Sequence, residues 1–178
     1  GVTAFKPGDE IYGCAGGLQG EAGNIEGALA EYMLADSNLI ALKPKALSFS
    51  EAAALPLVAI TAWEGLFDRA HIKKEDHILI HAGTGGVGHI AIQRAKQQGA
   101  RVATTVSSEG KAKIAKGLGA DEIIFYRDES VKEYTQRLTE GKGFDVVFDT
   151  IGAENLDKSL KAAKSSGQVI GIVGANQH

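Results

Sequence analysis

From about residue 77 onwards, short apolar runs alternate with longer stretches in which apolar and polar residues are mixed. The apolar runs HILIHA, RVATTV, EIIFY, FDVVFDT and QVIGIV predict strands. The mixed stretches predict helices over 86–98, 108–118, 129–140 and 153–164. Alternating strands and helices require crossover connections, and the nearly unbroken apolar character of the strands indicates that helices cover both faces of the sheet. The pattern therefore predicts an α/β fold with a doubly wound parallel sheet over residues 72–178.

The first 45 residues have a different pattern, in which short runs are interrupted by glycine and turn-forming residues. The runs DEIYG, ALAEYMLA and NLIALKP predict short strands of a small, irregular β region. After this region, Ser48 and Glu51 form an S-x-x-E capping box that predicts the start of a helix. Pro56 lacks a backbone N–H, so it should divide the segment into a short helix at 50–54 and a longer buried helix at about 56–69.

A glycine-rich turn follows the first strand of the predicted sheet. Gly83, Gly85 and Gly88 form a G-x-G-x-x-G pattern in the strand–turn–helix context that a dinucleotide-binding motif requires. In such a motif Gly83 would permit the sharp turn, Gly85 would let a pyrophosphate lie against the backbone, and Gly88 would let the helix pack close to the strand. A helix that starts near Gly86 would also offer unpaired N–H groups and the positive end of its dipole. The alternative is that the glycines serve close packing alone.

The residues after the second strand bear on which dinucleotide would bind. An NAD site usually has an Asp or Glu about 20 residues after the glycines, where it binds the ribose 2′-hydroxyl. Here Ser107, Ser108 and Lys111 occupy that place, and the first acid, Glu109, already lies in the next predicted helix. Hydroxyls, a cation and a helix N-terminus suit a 2′-phosphate, which favours NADPH over NADH. The alternative is that Ser108 only caps the helix and that Lys111 lies on its solvated face.

These motifs, in this order, resemble the medium-chain dehydrogenase/reductase superfamily, and most of all its quinone oxidoreductase branch, which is often described as zinc-type alcohol dehydrogenase-like. The resemblance is carried by PGDEIYG, ALAEYMLAD, LSFSEAAALPLVAITAWEGL, ILIHAGTGGVGHIAIQRAKQQGARV, KAKIAKGLGADEIIFYRDE and FDVVFDTIG. It implies that residues 1–45 are part of a GroES-like catalytic domain, that residues 46–71 are connecting helices, and that residues 72–178 are a Rossmann domain without its final strand. We therefore expect the chain to be a piece of a longer protein.

The resemblance also implies a set of residues that bind the cofactor. With the glycine motif, the residues expected at the pyrophosphate are Ala82, Gly83, Gly85, Gly86, Val87 and Gly88. Those expected at the adenosine 2′-phosphate are Ser107, Lys111 and Tyr126, with Ser108 beside them. Thr61 matches a threonine near the nicotinamide. The loops beneath the cofactor would contribute Thr150, Gly152, Val173 and Gly174.

The function that the resemblance implies is transfer of hydride from NADPH to a quinone or an activated double bond. Two alternatives stay open: a zinc-dependent alcohol dehydrogenase or enoyl reductase of the same superfamily, and a nucleotide-binding fragment without turnover. No acid–base pair in the chain compels a catalytic assignment, so the catalytic residues stay unassigned. We expect no metal in this chain, because Cys14 is the single cysteine and the histidines show no metal-ligand spacing. His81, at the end of the first strand, is expected to be structural.

Composition narrows the list of partners. A net charge of −3 gives no general attraction to nucleic acid or to anionic membranes, and no apolar run approaches the length of a membrane-spanning helix. The single cysteine fits a reducing compartment, so a cytoplasmic location is expected. Members of the resembled family often pair through a last strand that this chain lacks. The fifth strand, at 168–173, would then be an open edge prone to pairing with another chain, and a homodimer would form there.

Overall fold

The structure is a computed structural model, and it describes residues 4–14, 19–20, 23–24 and 27–173. The chain divides into two compact units, Gly1–Val58 and Ala59–His178. The division falls within the segment 46–71 that the sequence predicts to connect two regions.

The first unit contains short antiparallel strand pairs. Strand β1 (Ile11–Gly13) pairs with β4 (Ile40–Leu42), and β2 (Gln19–Gly20) pairs with β3 (Gly23–Asn24). The strands expected in DEIYG and NLIALKP are therefore present.

The prediction of a strand in ALAEYMLA is wrong. Residues 28–35 form no strand, and Leu29, Tyr32 and Leu34 are almost fully exposed. Alternating polarity produces a strand only where a neighbouring strand supplies backbone hydrogen bonds. No described strand of this unit pairs with residues 28–35.

The predicted capping box is confirmed. The Ser48 hydroxyl accepts a hydrogen bond from the Glu51 N–H at 3.3 Å, and the Glu51 carboxylate accepts one from the Ser48 N–H at 2.8 Å. Helix α1 (Phe49–Ala54) begins there, and α2 (Pro56–Trp63) begins at the proline, as predicted.

The last six residues of the predicted helix over 56–69 take a wider form. Glu64–Arg69 is a π-helical segment, closed by a hydrogen bond of 3.1 Å from the Ala70 N–H to the Gly65 carbonyl. Gly65 is buried against a ring of the sheet core, where an added Cβ would lie 2.4 Å from Phe148 Cε2. The segment can therefore approach the sheet only because residue 65 has no side chain.

The second unit is built on a five-stranded sheet whose strands are all parallel. The order along the sheet is β7-β6-β5-β8-β9. The strands are β5 (His77–Ile80), β6 (Arg101–Val106), β7 (Glu122–Phe125), β8 (Phe144–Asp149) and β9 (Ala163–Gly171). The chain starts in the middle, builds outward to β7, and then returns to the other side of β5. This order confirms the doubly wound fold and opens a crevice at the carboxyl ends of β5 and β8.

Helices cover both faces of this sheet, as the apolar strands predicted. The helices are α3 (Gly86–Gln97), α4 (Glu109–Gly117), α5 (Val131–Thr139) and α6 (Asn155–Ala162). Successive residues of a strand point to opposite faces, so Ile78 and Ile80 pack with residues of α3 and α4. Leu79, between them, packs in the other cluster, with Tyr134 of α5 and Ala162 of α6.

The boundary between α6 and β9 differs from the prediction. The helix expected at 153–164 ends at Ala162, and the strand expected at 168–173 begins at Ala163. The polar residues KSSG are not typical of a buried strand. The hydrogen bonds between neighbouring strands, however, join backbone groups and do not depend on the polarity of the side chains. Gly167 belongs to the strand for a packing reason, because a Cβ there would lie 2.7 Å from the Phe144 carbonyl oxygen.

None of the described helices has the length and apolar character that a membrane-spanning helix needs.

Candidate functional site

A cavity of about 1260 Å³ lies at the carboxyl edge of the sheet, and we call it the edge cavity. Residues that follow β5, β6, β7 and β8 line it, together with the first turns of α5 and α6. This is the edge where ligands bind in open α/β sheets, and the cavity exceeds the roughly 300–1,000 Å³ of ordinary small-molecule pockets. It is therefore large enough for an extended ligand.

The glycine turn forms one wall of the edge cavity. Ala82, Thr84 and Gly85 line the cavity, and Gly85 is the N-cap residue of α3 without a side-chain cap. The first N–H groups of a helix have no partner within the helix, so this uncapped end offers donors and the positive end of the dipole. An anion can bind there.

The sharp turn that the sequence assigned to Gly83 is made at Ala82. Ala82 has a φ of +51°, in the left-handed region, whereas Gly83 does not. A turn hydrogen bond of 2.8 Å from the Gly85 N–H to the Ala82 carbonyl follows, and the Ala82 N–H donates to Thr105 Oγ1 at 2.9 Å. Alanine has the smallest side chain after glycine, and these bonds hold it in the strained conformation.

Close packing explains two of the three glycines. A Cβ at Gly83 would lie 2.0 Å from Thr104 Oγ1, and one at Gly88 would lie 2.3 Å from the Ala82 carbonyl oxygen. Both residues are buried, and neither lines the edge cavity. Gly85 is exposed and lines the cavity, and an added Cβ would meet the Ala82 carbonyl oxygen at 3.1 Å. Close packing thus explains why residues 83 and 88 are glycines, but it does not explain the glycine at 85, which lies at the cavity.

The residues expected at the 2′-phosphate come together in the edge cavity, except one. Ser107, Lys111 and Tyr126 line it, although they follow two different strands. Ser108 does not line the cavity; its hydroxyl accepts the Lys111 N–H at 3.4 Å and caps α4, which is the alternative role that the sequence left open. No described hydrogen bond or ion pair uses the Lys111 ammonium, whose side chain is exposed.

The loop after β8 is held by the buried carboxylate of Asp149. It accepts hydrogen bonds from the Ile151 and Gly152 N–H groups, both at 2.9 Å, and from the Ser159 hydroxyl at 2.7 Å. Burial would raise the pKa of Asp149, but these hydrogen bonds outweigh it and hold the pKa below its ordinary value. The loop that carries Ile151 and Gly152 to the edge cavity is therefore fixed by one carboxylate.

The remaining predicted site residues lie elsewhere. Thr150 does not line the cavity, and its hydroxyl donates to the His81 carbonyl at 2.7 Å. Thr61 lies in α2 and does not line the cavity either. Val173 lies against Gly152, which has a φ of +73° and no room for a Cβ. Gly86 and Val87, in the first turn of α3, are not among the lining residues, and Gly174 lies outside the described residues.

Sequence reasoning missed the part of the edge cavity that α5 and α6 supply. Lysines on these helices line the cavity beside Lys111, namely Lys132, Lys158 and Lys161. Three acids also line it, and one of them, Glu129, is paired with Arg137 at 2.7 Å. The cavity wall thus has four lysines and only two acids that are not in a described ion pair. This excess of positive charge favours an anionic ligand. A signal was available, because every helix that follows a parallel strand begins at the carboxyl edge.

His81 is a further member of the cavity wall. Its side chain is buried, and its Nδ1 lies 3.4 Å from Thr105 Oγ1. Burial lowers the pKa of His81 to about 4, against an opposing effect of Asp149 and with a smaller lowering by Lys158. The imidazole is therefore neutral near pH 7.

Across the described residues, no group of three His, Cys, Asp or Glu side chains lies close enough together to hold a metal ion. Cys14 is a free thiol in the first unit. The residues that the structure describes thus offer no zinc site.

Comparison with known proteins gives long matches over almost the whole chain. A 2-methylene-furan-3-one reductase of Solanum lycopersicum is 41% identical over 175 residues, which are 98% of this chain and 43% of that protein. A chloroplastic NADPH-dependent alkenal/one oxidoreductase of Arabidopsis thaliana is 39% identical over 176 residues, again 98% of this chain and 43% of that protein. The chain spans less than half the length of these two relatives.

Solved structures match in the same way. An alcohol dehydrogenase superfamily protein from Novosphingobium aromaticivorans has a TM-score of 0.90 at 41% identity, covering 99% of this chain and 52% of its own. A quinone oxidoreductase of Pseudomonas syringae pv. Tomato DC3000 has a TM-score of 0.80 at 36% identity, covering 94% and 49%. A mycobacterial protein complexed with NADPH has a TM-score of 0.77 at 36% identity, covering 86% and 47%.

The family described as zinc-binding dehydrogenase matches residues 86–178, which is more than half of the chain. This match begins at the first residue of α3 and covers every strand of the five-stranded sheet except β5. The chain therefore belongs to the zinc-binding dehydrogenase family, within the medium-chain dehydrogenase/reductase superfamily and with quinone oxidoreductases among its structural neighbours.

Proposed function

We propose that this chain forms the NADPH-binding part of an oxidoreductase that transfers hydride from NADPH to a quinone or an activated carbon–carbon double bond. One observation carries the proposal: Gly85, the N-cap residue of α3, lines the same cavity as Ser107 and Lys111. The end of the cavity at α3 suits a pyrophosphate, and the end at Ser107 and Lys111 suits a 2′-phosphate. The names of the relatives, an alkenal/one oxidoreductase that depends on NADPH and a quinone oxidoreductase, support the same cofactor and substrates.

The pyrophosphate would lie at the start of α3. Gly85 leaves the approach to this helix end open, because it has no side chain. The nearest atom to an added Cβ would be the Ala82 carbonyl oxygen, at 3.1 Å, which belongs to the turn itself. Gly86 and Val87 would contribute backbone N–H groups, which are unpaired in the first turn of a helix. Gly83 and Gly88 would act indirectly, since their packing lets α3 lie close to the turn and lets the turn lie close to β6.

The 2′-phosphate would lie between Ser107, Lys111 and Tyr126. No carboxylate stands between the end of β6 and the cap of α4, where an NAD-binding protein would hold the ribose hydroxyls. Arg127 adds a second cation at this end, with its guanidinium carbon 5.6 Å from the centre of the Tyr126 ring. A doubly charged phosphate would find donors there, and the nearby acid in the cavity wall, Glu129, is paired with Arg137.

Bound NADPH would supply the hydride, and the chain would orient it. Thr61, Thr150 and the loop through Gly152 and Val173 are proposed to hold the nicotinamide half, as the family resemblance implies. Reduction also needs a proton, and its donor stays unassigned, as the catalytic residues do. Homodimer formation along β9 and a cytoplasmic location stay predictions.

Turnover assays test the proposal. The purified chain would be mixed with NADPH and either a naphthoquinone or an α,β-unsaturated aldehyde, and NADPH oxidation would be followed by absorbance. Oxidation that depends on the acceptor supports an active oxidoreductase. Binding of NADPH without oxidation by either acceptor would favour the non-catalytic reading of the chain. Failure to bind NADPH at all would contradict the proposal.

A further inference from the structure

His81 sits at the base of the edge cavity and is held firmly by its backbone. Its N–H donates to the Phe148 carbonyl at 3.0 Å, and its carbonyl accepts from the Thr150 hydroxyl at 2.7 Å. The residue is 3% exposed, although it belongs to the cavity wall. The backbone of His81 is thus fixed by β8 and the loop that follows it.

The hydrogen-bond pattern around Thr105 indicates where the imidazole carries its proton. Thr105 Oγ1 accepts the Ala82 N–H at 2.9 Å, so its own hydrogen is available for a second bond. His81 Nδ1, at 3.4 Å, is the acceptor that the described residues provide. Nδ1 is then unprotonated, and in the neutral ring the hydrogen is on Nε2.

Nε2 of His81 has no hydrogen-bond partner in the described part of the chain, although the atom is buried. Buried donors without partners are rare in proteins, because burial removes the water that would otherwise bond them. The edge cavity that His81 lines is the place where an acceptor can arrive, and lysines at its rim favour an anionic ligand. An unpaired donor in the wall of a cavity whose charges favour an anion is a feature of a binding residue.

We propose that the Nε2–H of His81 donates a hydrogen bond to an oxygen of the dinucleotide bound in the edge cavity. His81 would then be a binding residue rather than the purely structural residue that the sequence suggested. The acceptor is a phosphate or ribose oxygen, because these are the acceptors that the cavity would receive along the strand ends. Thr105 would act through His81, since its hydroxyl fixes the tautomer. This role rests on the proposed dinucleotide site.

Nuclear magnetic resonance of the chain with ¹⁵N-labelled histidine tests the hydrogen bond directly. In the free protein His81 should show a neutral ring with the proton on Nε2. Saturating NADPH should shift the Nε2 resonance and slow the exchange of its proton with water, while the resonances of His77, at the opposite end of β5, stay unchanged. Unchanged Nε2 resonance and exchange in a chain that does bind NADPH would overturn the proposal.

Substitutions give an independent measurement. His81→Phe keeps a ring but removes the donor, and should weaken NADPH binding by about 3- to 10-fold, as expected for loss of one hydrogen bond. His81→Gln keeps an N–H donor and should recover part of the affinity. His77→Gln, on the same strand, removes a histidine that bonds Glu122 at 2.8 Å and should leave NADPH affinity unchanged.

The outcomes separate this inference from the proposed function. If the unmodified chain does not bind NADPH, the dinucleotide site itself is wrong. If the unmodified chain and His81→Phe bind NADPH equally, the site stands and the role of His81 is wrong. Titration with 2′,5′-ADP distinguishes the sources of the acceptor oxygen: a shift of the His81 resonance with this fragment assigns the acceptor to the adenosine half, including its 5′-phosphate, and no shift assigns it to the nicotinamide-side phosphate or ribose.

Discussion

The Thr150 hydroxyl donates a hydrogen bond of 2.7 Å to the carbonyl of His81 and so joins the carboxyl ends of β5 and β8. These two strands flank the crevice where the order of the sheet reverses. The bond therefore stabilises the point at which the two halves of the candidate site meet.

Thr150→Val removes this hydrogen bond with little change in side-chain shape. We expect the free energy of unfolding to fall by about 1 kcal/mol, because the buried carbonyl of His81 loses a partner. Urea denaturation followed by circular dichroism measures this. Thr150→Ser, which keeps the hydroxyl, is the matched control, and a valine variant as stable as the unmodified chain would show that the bond contributes nothing.

Substitutions of the glycine turn separate packing from ligand binding. Gly83→Ala and Gly88→Ala should prevent stable folding or cost several kcal/mol, since their Cβ atoms would lie 2.0 Å from Thr104 Oγ1 and 2.3 Å from the Ala82 carbonyl oxygen. Gly85→Ala should fold, because its φ is −78° and the nearest contact is 3.1 Å, but should bind NADPH more weakly. Thermal denaturation and NADPH titration of each variant give the answer.

Gly110→Ala provides a control for glycine replacement in general. Gly110 lies in α4, where an added Cβ meets nothing within 4 Å. Alanine there should raise the free energy of unfolding by about 0.5 kcal/mol. If Gly85→Ala binds NADPH as tightly as the unmodified chain, the packing alternative applies to the whole motif.

The Asp149 carboxylate makes stability depend on pH. Hydrogen bonds hold its pKa below the ordinary value of 3.8 in the folded protein, so the unfolded chain takes up this proton more readily. The contribution of Asp149 is fully present above the unfolded-state pKa and is lost as the pH falls through the folded-state pKa. Asp149→Asn should be less stable at neutral pH by about 2–3 kcal/mol, because one amide oxygen replaces a charged acceptor of several bonds.

Unfolding of both proteins by urea at a series of pH values checks this. The difference in free energy between the unmodified chain and Asp149→Asn should be constant around neutral pH and shrink below about pH 4. Salt bridges elsewhere, such as Lys96–Asp121 and Lys164–Asp145, also lose stability in acid, and they are present in both proteins. A difference that does not shrink in acid would mean that the charge of Asp149 is not what holds the loop.

Much of this fold could be predicted because its signals are local. The strand runs, the capping box of Ser48 and Glu51, and the division at Pro56 all depend on neighbouring residues. The strand expected at 28–35 failed because a strand also depends on a partner. The length of β9 was missed because its first residues are polar and are held by the ladder to β8.

The candidate site was predictable where a motif carries it. Gly85, Ser107 and Lys111 line one cavity, as their positions after parallel strands implied. The role of Gly83 could not be read from the pattern, since the left-handed residue is Ala82 and the reason for Gly83 is a side chain on the neighbouring strand. The orphaned Nε2 of His81 depends on contacts across three strands, which no sequence spacing reveals.

We expect the edge cavity to bind NADPH through the 2′-phosphate of the nucleotide. Lys111→Ala removes the cation expected at that phosphate, and Lys113→Ala, on the same helix and outside the cavity wall, is the matched control. Loss of one charged contact at an exposed site corresponds to about 10-fold in affinity.

Titration of the unmodified chain and both variants with NADPH and with NADH, followed by nucleotide fluorescence, tests the claim most directly. We expect the unmodified chain and Lys113→Ala to bind NADPH more tightly than NADH, and Lys111→Ala to lose about 10-fold for NADPH with little change for NADH. Equal affinities of the unmodified chain for the two nucleotides would contradict the account.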